Sequence, residues 1–262
     1  MKKIIAMLMA LTLVFAFAAC QGETAVTTDD AVTTTEAPVE TTEVPVETTE
    51  APVETTEAPA EVKVMTYEEF VAADLDTEVT VETYIQATQS WWDNKITAYT
   101  QNEEGAYFLY EMACSEEDAA KLVPGTKIRV TGFKAEWSGE LEIVDATFEI
   151  LEGNFVAEPT DVTALLGTDE LIAHQNKLVS FKGMTFESLE YKNGEPGDDI
   201  YVTVSKDGNN YSFCVEYYLT GTDTDVYKAV QALTAGDVVD IDGFLYWYEG
   251  VNTHITAVAA AQ

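Results

Sequence analysis

The feature that most constrains this chain is an internal repeat in its C-terminal two thirds. Residues 124–133 (PGTKIRVTGF) align without gaps with residues 235–244 (AGDVVDIDGF), at an offset of 111 residues. Earlier in each copy, residues 78–82 match residues 178–182 at an offset of 100. A repeat of this length indicates two copies of one structural unit. Because the two offsets differ, the second copy carries an insertion between these blocks.

Each copy shows the same order of short elements after an amphipathic lead-in. In the first copy, the patterns predict strands at 79–85, 95–100, 106–112, 127–133 and 141–151, with a helix at 116–122. In the second copy, they predict strands at 178–186, 200–205, 211–217, 238–245 and 253–259, with a helix at 224–233. Turns rich in Gly, Asn and Asp, at 102–105 and 206–209, indicate that the second and third strands of each copy form a hairpin.

Three strands, a helix and two further strands are the element order of the oligonucleotide/oligosaccharide-binding (OB) fold, a small Greek-key barrel. The Gly-x-x-Val/Ile-x-Val/Ile-x-Gly-Phe pattern at the fourth strand of each copy resembles that of many bacterial OB domains. The resemblance covers about 64–153 and 160–262 and implies a mainly β fold. We expect two tandem five-stranded OB-type barrels, each with one short helix between strands 3 and 4. The predicted domains are 62–153 and 154–262.

The N-terminal residues have the pattern of an export signal. Lys2 and Lys3 precede an apolar run at 4–17, and small residues lead directly to Cys20. The run is too short for a membrane-spanning helix and is typical of a signal peptide, here 1–19. The junction resembles the lipobox of bacterial lipoproteins, with Phe17 in place of the usual aliphatic residue. That resemblance implies lipidation of Cys20, with the chain exported and held on the outer face of the cytoplasmic membrane.

Residues 20–61 have the composition of a disordered linker. A seven-residue unit rich in Thr, Glu, Pro and Val occurs four times, starting at Thr34, Thr41, Thr48 and Thr55. Each unit contains a proline, which breaks helices, and the acidic side chains repel one another. We therefore predict an extended tether with a reach on the order of 100 Å. O-glycosylation of its threonines is an open alternative.

The charge of the chain argues against some partners. The formal net charge is −34, and residues 62–262 alone hold 36 acidic and 11 basic side chains. Affinity for nucleic acid depends largely on Lys and Arg, so this composition disfavours a nucleic-acid partner. It also disfavours adsorption to anionic lipid, which leaves attachment to the acyl chains on Cys20.

Three cysteines are too few for a disulfide framework. With Cys20 lipidated, we expect Cys114 and Cys214 to be buried free thiols. A bridge between them is the alternative that the sequence leaves open.

Aromatic residues cluster in the loops that flank the usual OB binding face. The first copy has Trp91 and Trp92 between strands 1 and 2 and Trp137 between strands 4 and 5, and the second copy has Tyr246, Trp247 and Tyr248 at the latter position. Aromatic rings at loop tips are favoured binding anchors, so these six are the candidate ligand-binding residues. The alternative is that the rings pack the two barrels together.

The sequence contains no catalytic or cofactor motif. The aspartate pairs at 198–199 and 223–225 do not complete the spacing of a calcium loop, and the two histidines form no zinc pattern. We therefore predict no enzymatic activity, no cofactor and no metal site.

The leading functional prediction is a surface-anchored extracellular module that binds carbohydrate or protein through its aromatic loops. The alternative is a structural or accessory subunit of a cell-envelope complex. A third hypothesis is capture of single-stranded nucleic acid, which needs a basic groove. In the first copy only four cations can supply one: Lys95, Lys127, Arg129 and Lys134.

Overall fold

Eleven β-strands and four short α-helices build residues 62–261, the part of the chain that the computed structural model describes. The helices are α1 (Tyr67–Ala72), α2 (Glu116–Ala119), α3 (Tyr217–Thr220) and α4 (Asp225–Gln231). The strands are β1 (Glu78–Thr88), β2 (Lys95–Gln101), β3 (Ala106–Ala113), β4 (Thr126–Trp137), β5 (Glu140–Asn154), β6 (Thr160–Asp161), β7 (Leu178–Tyr191), β8 (Ile200–Lys206), β9 (Asn209–Val215), β10 (Val238–Phe244) and β11 (His254–Ala260).

The first five strands form a closed barrel in the order β1-β2-β3-β5-β4. Strand β4 pairs back onto β1, with Val81 opposite Val130, and this pairing closes the barrel. All neighbours are antiparallel except β3 and β5, which run parallel over a short stretch. We refer to this unit as the first barrel.

Alternation along β4 shows how the sequence fills the first barrel. Ile128 and Val130 are fully buried, whereas Lys127, Arg129 and Thr131, which alternate with them, are partly exposed. Successive side chains of a strand point to opposite faces, so this period of two places the apolar ones in one core. Lys134 continues the buried face at the end of the barrel, where its Nζ donates to the carbonyl oxygens of Val71 and Ala73 at 2.7 Å each. It therefore satisfies carbonyl groups at the end of α1.

The shared glycine of the internal repeat has a structural cause. The β4–β5 pairing shifts register between Thr131 and Phe133, at Gly132, and the β10–β11 pairing shifts at Gly243. A Cβ atom added to Gly132 would lie 2.7 Å from the carbonyl oxygen of Val144, and one added to Gly243 would overlap the carbonyl oxygen of His254. The close backbone approach at each bulge therefore requires glycine.

The last six strands form a second sheet with the order β10-β11-β9-β8-β7-β6, in which β10 also pairs with β7. Its core is separate from that of the first barrel and includes Phe181, Phe213 and Tyr227. Two 3₁₀ turns, Thr163–Leu165 and Leu171–His174, precede β7. We refer to this unit as the second sheet.

The first barrel and the second sheet belong to one compact unit and share a third apolar cluster. Tyr99 and Phe108 of the first barrel pack with Phe244 of the second sheet, and all three are buried. The rings of Tyr99 and Phe244 are stacked with their centroids 4.6 Å apart. The two copies therefore meet through a dry aromatic contact.

The prediction of a mainly β fold is confirmed, together with a closed five-stranded barrel. One detail of the second copy is different: two helices, α3 and α4, lie between β9 and β10, where one was predicted. Gly221, which has a φ of 73°, ends α3 and separates it from α4. Glycine adopts this left-handed conformation without the steric cost of a Cβ atom.

Several predictions concern residues that the structure does not describe. The predicted signal peptide, the lipidation of Cys20 and the linker fall within 1–61. Within 62–261, no helix has the length and apolar character needed to cross a membrane. In the same range, Cys114 and Cys214 are buried and unpaired, as expected.

Candidate functional site

A cleft of about 1150 Å³ lies between the first barrel and the second sheet. Its aromatic lining comes from both units and consists of Trp91, Trp92, Phe108, Tyr110, Trp137, Tyr201, Tyr218, Tyr246, Tyr248 and His254. Five of the six predicted ligand-binding residues are in this set. We call it the aromatic cleft.

A tight turn holds Trp92 at the edge of the aromatic cleft. Trp92 and Lys95 exchange two backbone hydrogen bonds, of 3.1 and 2.9 Å, and the two residues between them have positive φ values. Asp93 and Asn94 therefore form a two-residue hairpin turn of the type that Asn and Asp favour. Trp92 is 74% exposed. An apolar ring held in water by a fixed turn is available to a ligand.

Trp91 is different from its neighbour because it is anchored. Its ring packs against the core of the first barrel, and its Nε1 donates to the carbonyl oxygen of Cys114 at 2.9 Å. Adjacent residues of an extended segment point to opposite sides, so the two tryptophans do not both pack into the core. Trp91 forms part of the wall of the cleft, whereas Trp92 projects from it.

The predicted 4–5 loops of the two copies lie against each other. Ser138 and Gly139, both with positive φ, form the turn that follows Trp137, which is 60% exposed. The backbone N–H of Glu249 donates to the carbonyl oxygen of Ser138 at 2.8 Å. Trp137 and Tyr248 thus reach the same cleft from different copies.

Trp247 does not line the aromatic cleft, although it was a candidate residue. Its ring packs against the core of the second sheet and beside Gly139, where an added Cβ would lie 2.7 Å from its Cδ1. Its backbone N–H donates to Glu140 at 2.8 Å. Adjacent residues of an extended segment point in opposite directions, which separates Trp247 from Tyr246 and Tyr248.

Ring-to-ring contacts connect the walls of the cleft. Phe108 lies near Tyr110 on one side, with ring centroids 6.5 Å apart, and near Tyr246 on the other, at 5.3 Å. Tyr246 stacks on His254 at 4.3 Å, and the hydroxyl of Tyr99 hydrogen-bonds Nδ1 of His254 at 2.6 Å. Burial lowers the pKa of His254 to about 3. The imidazole is therefore neutral and serves as a flat ring in this contact.

One part of the cleft, supplied by α3, was not predicted from the sequence. The backbone N–H of Ser90 donates to the carbonyl oxygen of Tyr218 at 2.8 Å, which places the β1–β2 loop against α3. Tyr218 and Tyr201 add two partly exposed rings from the second copy. No pattern in the sequence distinguishes these tyrosines from others, because their position depends on how the two copies pack.

The charged groups of the cleft are mostly carboxyl groups. Glu111 forms an ion pair with Lys95 at 2.7 Å, Asp199 accepts from Lys192 at 2.8 Å, and Glu216 accepts from the N–H of Leu219 at 2.7 Å. Burial, with a smaller effect of Asp199, raises the pKa of Glu216 to about 7.

Glu142 is 9% exposed, and burial also raises its pKa. Within the described part of the chain, the carboxyl group of Glu142 has no hydrogen bond or ion pair.

Of the four cations considered for a nucleic-acid groove, only Lys95 lines the cleft. Lys127 and Arg129 both pair with Glu82, at 2.6 and 2.7 Å, on the first barrel. Lys134 is buried against the end of α1. The cleft therefore offers rings and carboxyl groups, with one cation at its rim.

A buried carboxyl group, that of Glu140, lies next to the cleft where the two copies meet. Its Oε2 accepts from Nε2 of Gln175 at 3.1 Å and from the N–H of Trp247. Its Oε1 has no partner among residues 62–261, and neither has Oδ1 of neighbouring Asn176. Burial raises the pKa of Glu140 to about 8, so the group is neutral in the folded protein at pH 7.

No group of three or more His, Cys, Asp or Glu side chains in the described range has the arrangement of a metal site. The aspartates at 198–199 are used in local hydrogen bonds, since Asp198 accepts from Asn193 and Asp199 from Lys192. At the other aspartate pair, Thr224 is the N-cap of α4, and Asp225 begins that helix.

No protein-family model and no curated protein matches this chain. Among solved structures, a murine DNA-binding protein bound to double-stranded DNA is 10% identical, with 70% of this chain and 96% of that chain covered and a TM-score of 0.36. The HINa domain of Ifi202 in complex with 20-base-pair double-stranded DNA is 12% identical, with 72% and 97% covered and a TM-score of 0.32. A replication protein A heterotrimer bound to single-stranded DNA is 10% identical, with 71% and 49% covered and a TM-score of 0.28.

These findings correct the functional prediction. All three structures contain DNA, so the expected module for carbohydrate or protein is not retained, and its alternative, a subunit of an envelope complex, is not favoured either. The expectation that nucleic acid is disfavoured as a partner is contradicted as well. That expectation rested on the net charge of the chain, which carries no information about the aromatic side chains that line one cleft. At these TM-scores, the DNA partners of the three proteins do not transfer to this chain, so the function must be argued from the cleft.

Proposed function

We propose that the aromatic cleft binds the bases of a single-stranded nucleic acid by stacking. The observation that supports this most directly is the set of exposed rings, Trp92, Trp137 and Tyr248, around one cleft of about 1150 Å³. Every base has a flat π-face, and a stack of one base on one aromatic side chain contributes about 1–3 kcal/mol. The proposal assigns no catalytic step.

The fold supports this choice of ligand. We propose that both copies are OB barrels, because the order and pairing of β7–β11 repeat those of β1–β5, including the β10–β7 pairing that corresponds to β4–β1. We retain the predicted domains, 62–153 and 154–262. OB folds bind oligonucleotides on the face of strands 2 and 3. Phe108 and Tyr110 of β3 and Tyr201 of β8 lie at this position in the cleft.

The size of the cleft fits more than one base. Pockets for small molecules have volumes of about 300–1000 Å³. The aromatic cleft exceeds this range, and three of its exposed rings, Trp92, Trp137 and Tyr248, come from three separate turns. We therefore propose that it holds a short segment of two or more nucleotides, with the phosphates directed to solvent.

Because few cations line the cleft, the affinity of the proposed binding should depend only weakly on salt concentration. A protein that neutralises Z phosphates of a single strand loses affinity with salt at a slope of about −0.7Z in log K against log[salt]. Lys95 is the one cation that lines the cleft, and it is already paired with Glu111. We therefore expect a slope no steeper than about −0.7. Binding through stacking is expected to be weak but to persist at high salt.

The experiment that tests the proposal measures binding of a fluorescein-labelled mixed-sequence DNA octamer to the full-length chain in non-ionic detergent. Fluorescence anisotropy at 50 and 500 mM salt gives the affinity and its slope. Trp92→Ala and Trp137→Ala each remove one ring and are expected to weaken binding by about 5- to 150-fold. Phe133→Ala is the matched control, since Phe133 is an exposed ring outside the cleft.

Two results would contradict the proposal. One is the absence of binding at protein concentrations in the millimolar range. The other is binding that Trp92→Ala and Trp137→Ala leave unchanged, or that Phe133→Ala weakens equally, since the ligand would then lie elsewhere. We keep export and lipidation of Cys20 as separate proposals that this experiment does not address.

A further inference from the structure

Glu142 is the one carboxyl group of the aromatic cleft that the described part of the protein leaves without a partner. Glu111, Asp199 and Glu216 each accept a hydrogen bond or ion pair, whereas Glu142 accepts none. It is nevertheless 9% exposed. A carboxyl group that lines the cleft and that no protein donor occupies is free to accept hydrogen bonds from a ligand in the cleft.

The position of Glu142 places this acceptor beside a stacking surface. In the sheet it is the neighbour of Phe108 on β3 and of Ala135 on β4. It lines the same cleft as Tyr110 and Tyr246, and its charge adds to the effect of burial in raising the pKa of both hydroxyl groups. A base stacked on these rings therefore presents its edge to the carboxyl group.

We propose that Glu142 is a specificity residue that selects guanine at this position of the cleft. Ionised, a carboxylate offers two acceptors side by side, and the Watson–Crick edge of guanine offers two donors side by side, N1–H and the amino group on C2. The inference rests on the proposed function, since it names which base the cleft prefers.

The other bases are poorer partners for a carboxylate. Adenine and cytosine each present one donor next to one ring-nitrogen acceptor, so one carboxylate oxygen meets a lone pair. Thymine presents one N–H between two carbonyl oxygens, which repel the carboxylate. Mismatched donors and acceptors at a buried edge give strong discrimination, because the groups left unpaired cannot return to water.

The test compares four DNA pentamers, TTGTT, TTATT, TTCTT and TTTTT, at pH 8, by competition against the labelled octamer on the full-length chain. We expect TTGTT to bind about 5- to 150-fold more tightly than TTTTT, the range of a bidentate contact to a base. Glu142→Gln replaces one acceptor by a donor, so this variant is expected to lose the preference for guanine and to bind adenine or cytosine better than guanine. Glu103→Gln, in the exposed turn between β2 and β3, is the matched control and should keep the preference.

The outcomes separate this inference from the proposed function. Preference for guanine that Glu142→Gln abolishes and Glu103→Gln retains supports the inference. Binding of all four pentamers with equal affinity, or a guanine preference that survives in Glu142→Gln, overturns it and leaves the stacking proposal intact. Failure of every pentamer and of the octamer to bind overturns both.

Discussion

Replacing Glu140 by Gln tests how the two copies are held together. The carboxyl group is fully buried where the first barrel meets the second sheet, and it accepts hydrogen bonds from Gln175 and Trp247. Burial raises its pKa from 4.5 to about 8. Between these pH values the group is neutral in the folded protein and ionised in the unfolded chain. Glutamine keeps the shape and the accepting oxygen, but it cannot ionise.

The sign of the effect follows from the raised pKa. The stability that the neutral group contributes is fully present below pH 4.5 and is lost as the pH rises through 8. One pKa unit corresponds to about 1.4 kcal/mol. From Glu140 alone, the free energy of unfolding is expected to fall by about 3 kcal/mol between pH 4 and pH 7, and by about 5 kcal/mol by pH 9.

The assay is urea unfolding of the full-length wild type and Glu140→Gln, followed by tryptophan fluorescence at pH 5, 7 and 9. The difference in unfolding free energy between the two proteins should change by about 4 kcal/mol from pH 5 to pH 9 in favour of the variant. Glu216 is present in both proteins and cancels in the difference, whereas Glu142 contributes a small part of the shift of Glu140 itself. Glu103→Gln serves as the control and should follow the wild type. Wild-type and Glu140→Gln curves that stay parallel within 1 kcal/mol would refute the reasoning.

Four further predictions concern other parts of the chain. Gly132→Ala is expected to lower the free energy of unfolding by about 1–3 kcal/mol, because the added Cβ meets the carbonyl oxygen of Val144 at 2.7 Å; an unchanged urea midpoint would contradict this. His254, with a pKa lowered to about 3, should show constant imidazole NMR shifts from pH 8 to pH 5, whereas a midpoint near 6.5 would exclude its burial. Its neutral form contributes stability that is full above pH 6.5 and lost as the pH falls toward 3. Cys214, whose pKa burial raises, should resist an aromatic disulfide reagent at pH 8 until urea unfolds the protein. Cys20→Ser should release the protein from membranes, and retention of the serine form would count against lipidation.

Local patterns were sufficient to predict most of the strands of both copies. The predicted strands 95–100 and 106–112 are observed as Lys95–Gln101 and Ala106–Ala113, because alternation and a turn rich in Gly and Asn act over a few residues. The repeated glycine was also visible in the sequence. Its cause, a backbone contact across a bulge, was not, because the contact joins residues about a dozen positions apart.

The site was only partly predictable because it depends on contacts between the copies. Five of the six candidate rings line the cleft, whereas Trp247 packs against the core of the second sheet. The sequence alone does not show which side chains of the run Tyr246, Trp247 and Tyr248 point toward the cleft. Glu142 could not be distinguished among 47 acidic residues. Its lack of a partner is visible only in three dimensions. The net charge argued against a nucleic-acid partner, but it averages over the whole surface and does not describe the rings of one cleft.

The cluster of Tyr99, Phe108 and Phe244 has a consequence for how the duplicated halves behave. Either half produced alone would expose large apolar rings to water, and we expect it to self-associate. The halves should also melt in a single cooperative transition. The two copies thus depend on one shared aromatic contact, and neither half can be exchanged without its partner's aromatic side chains.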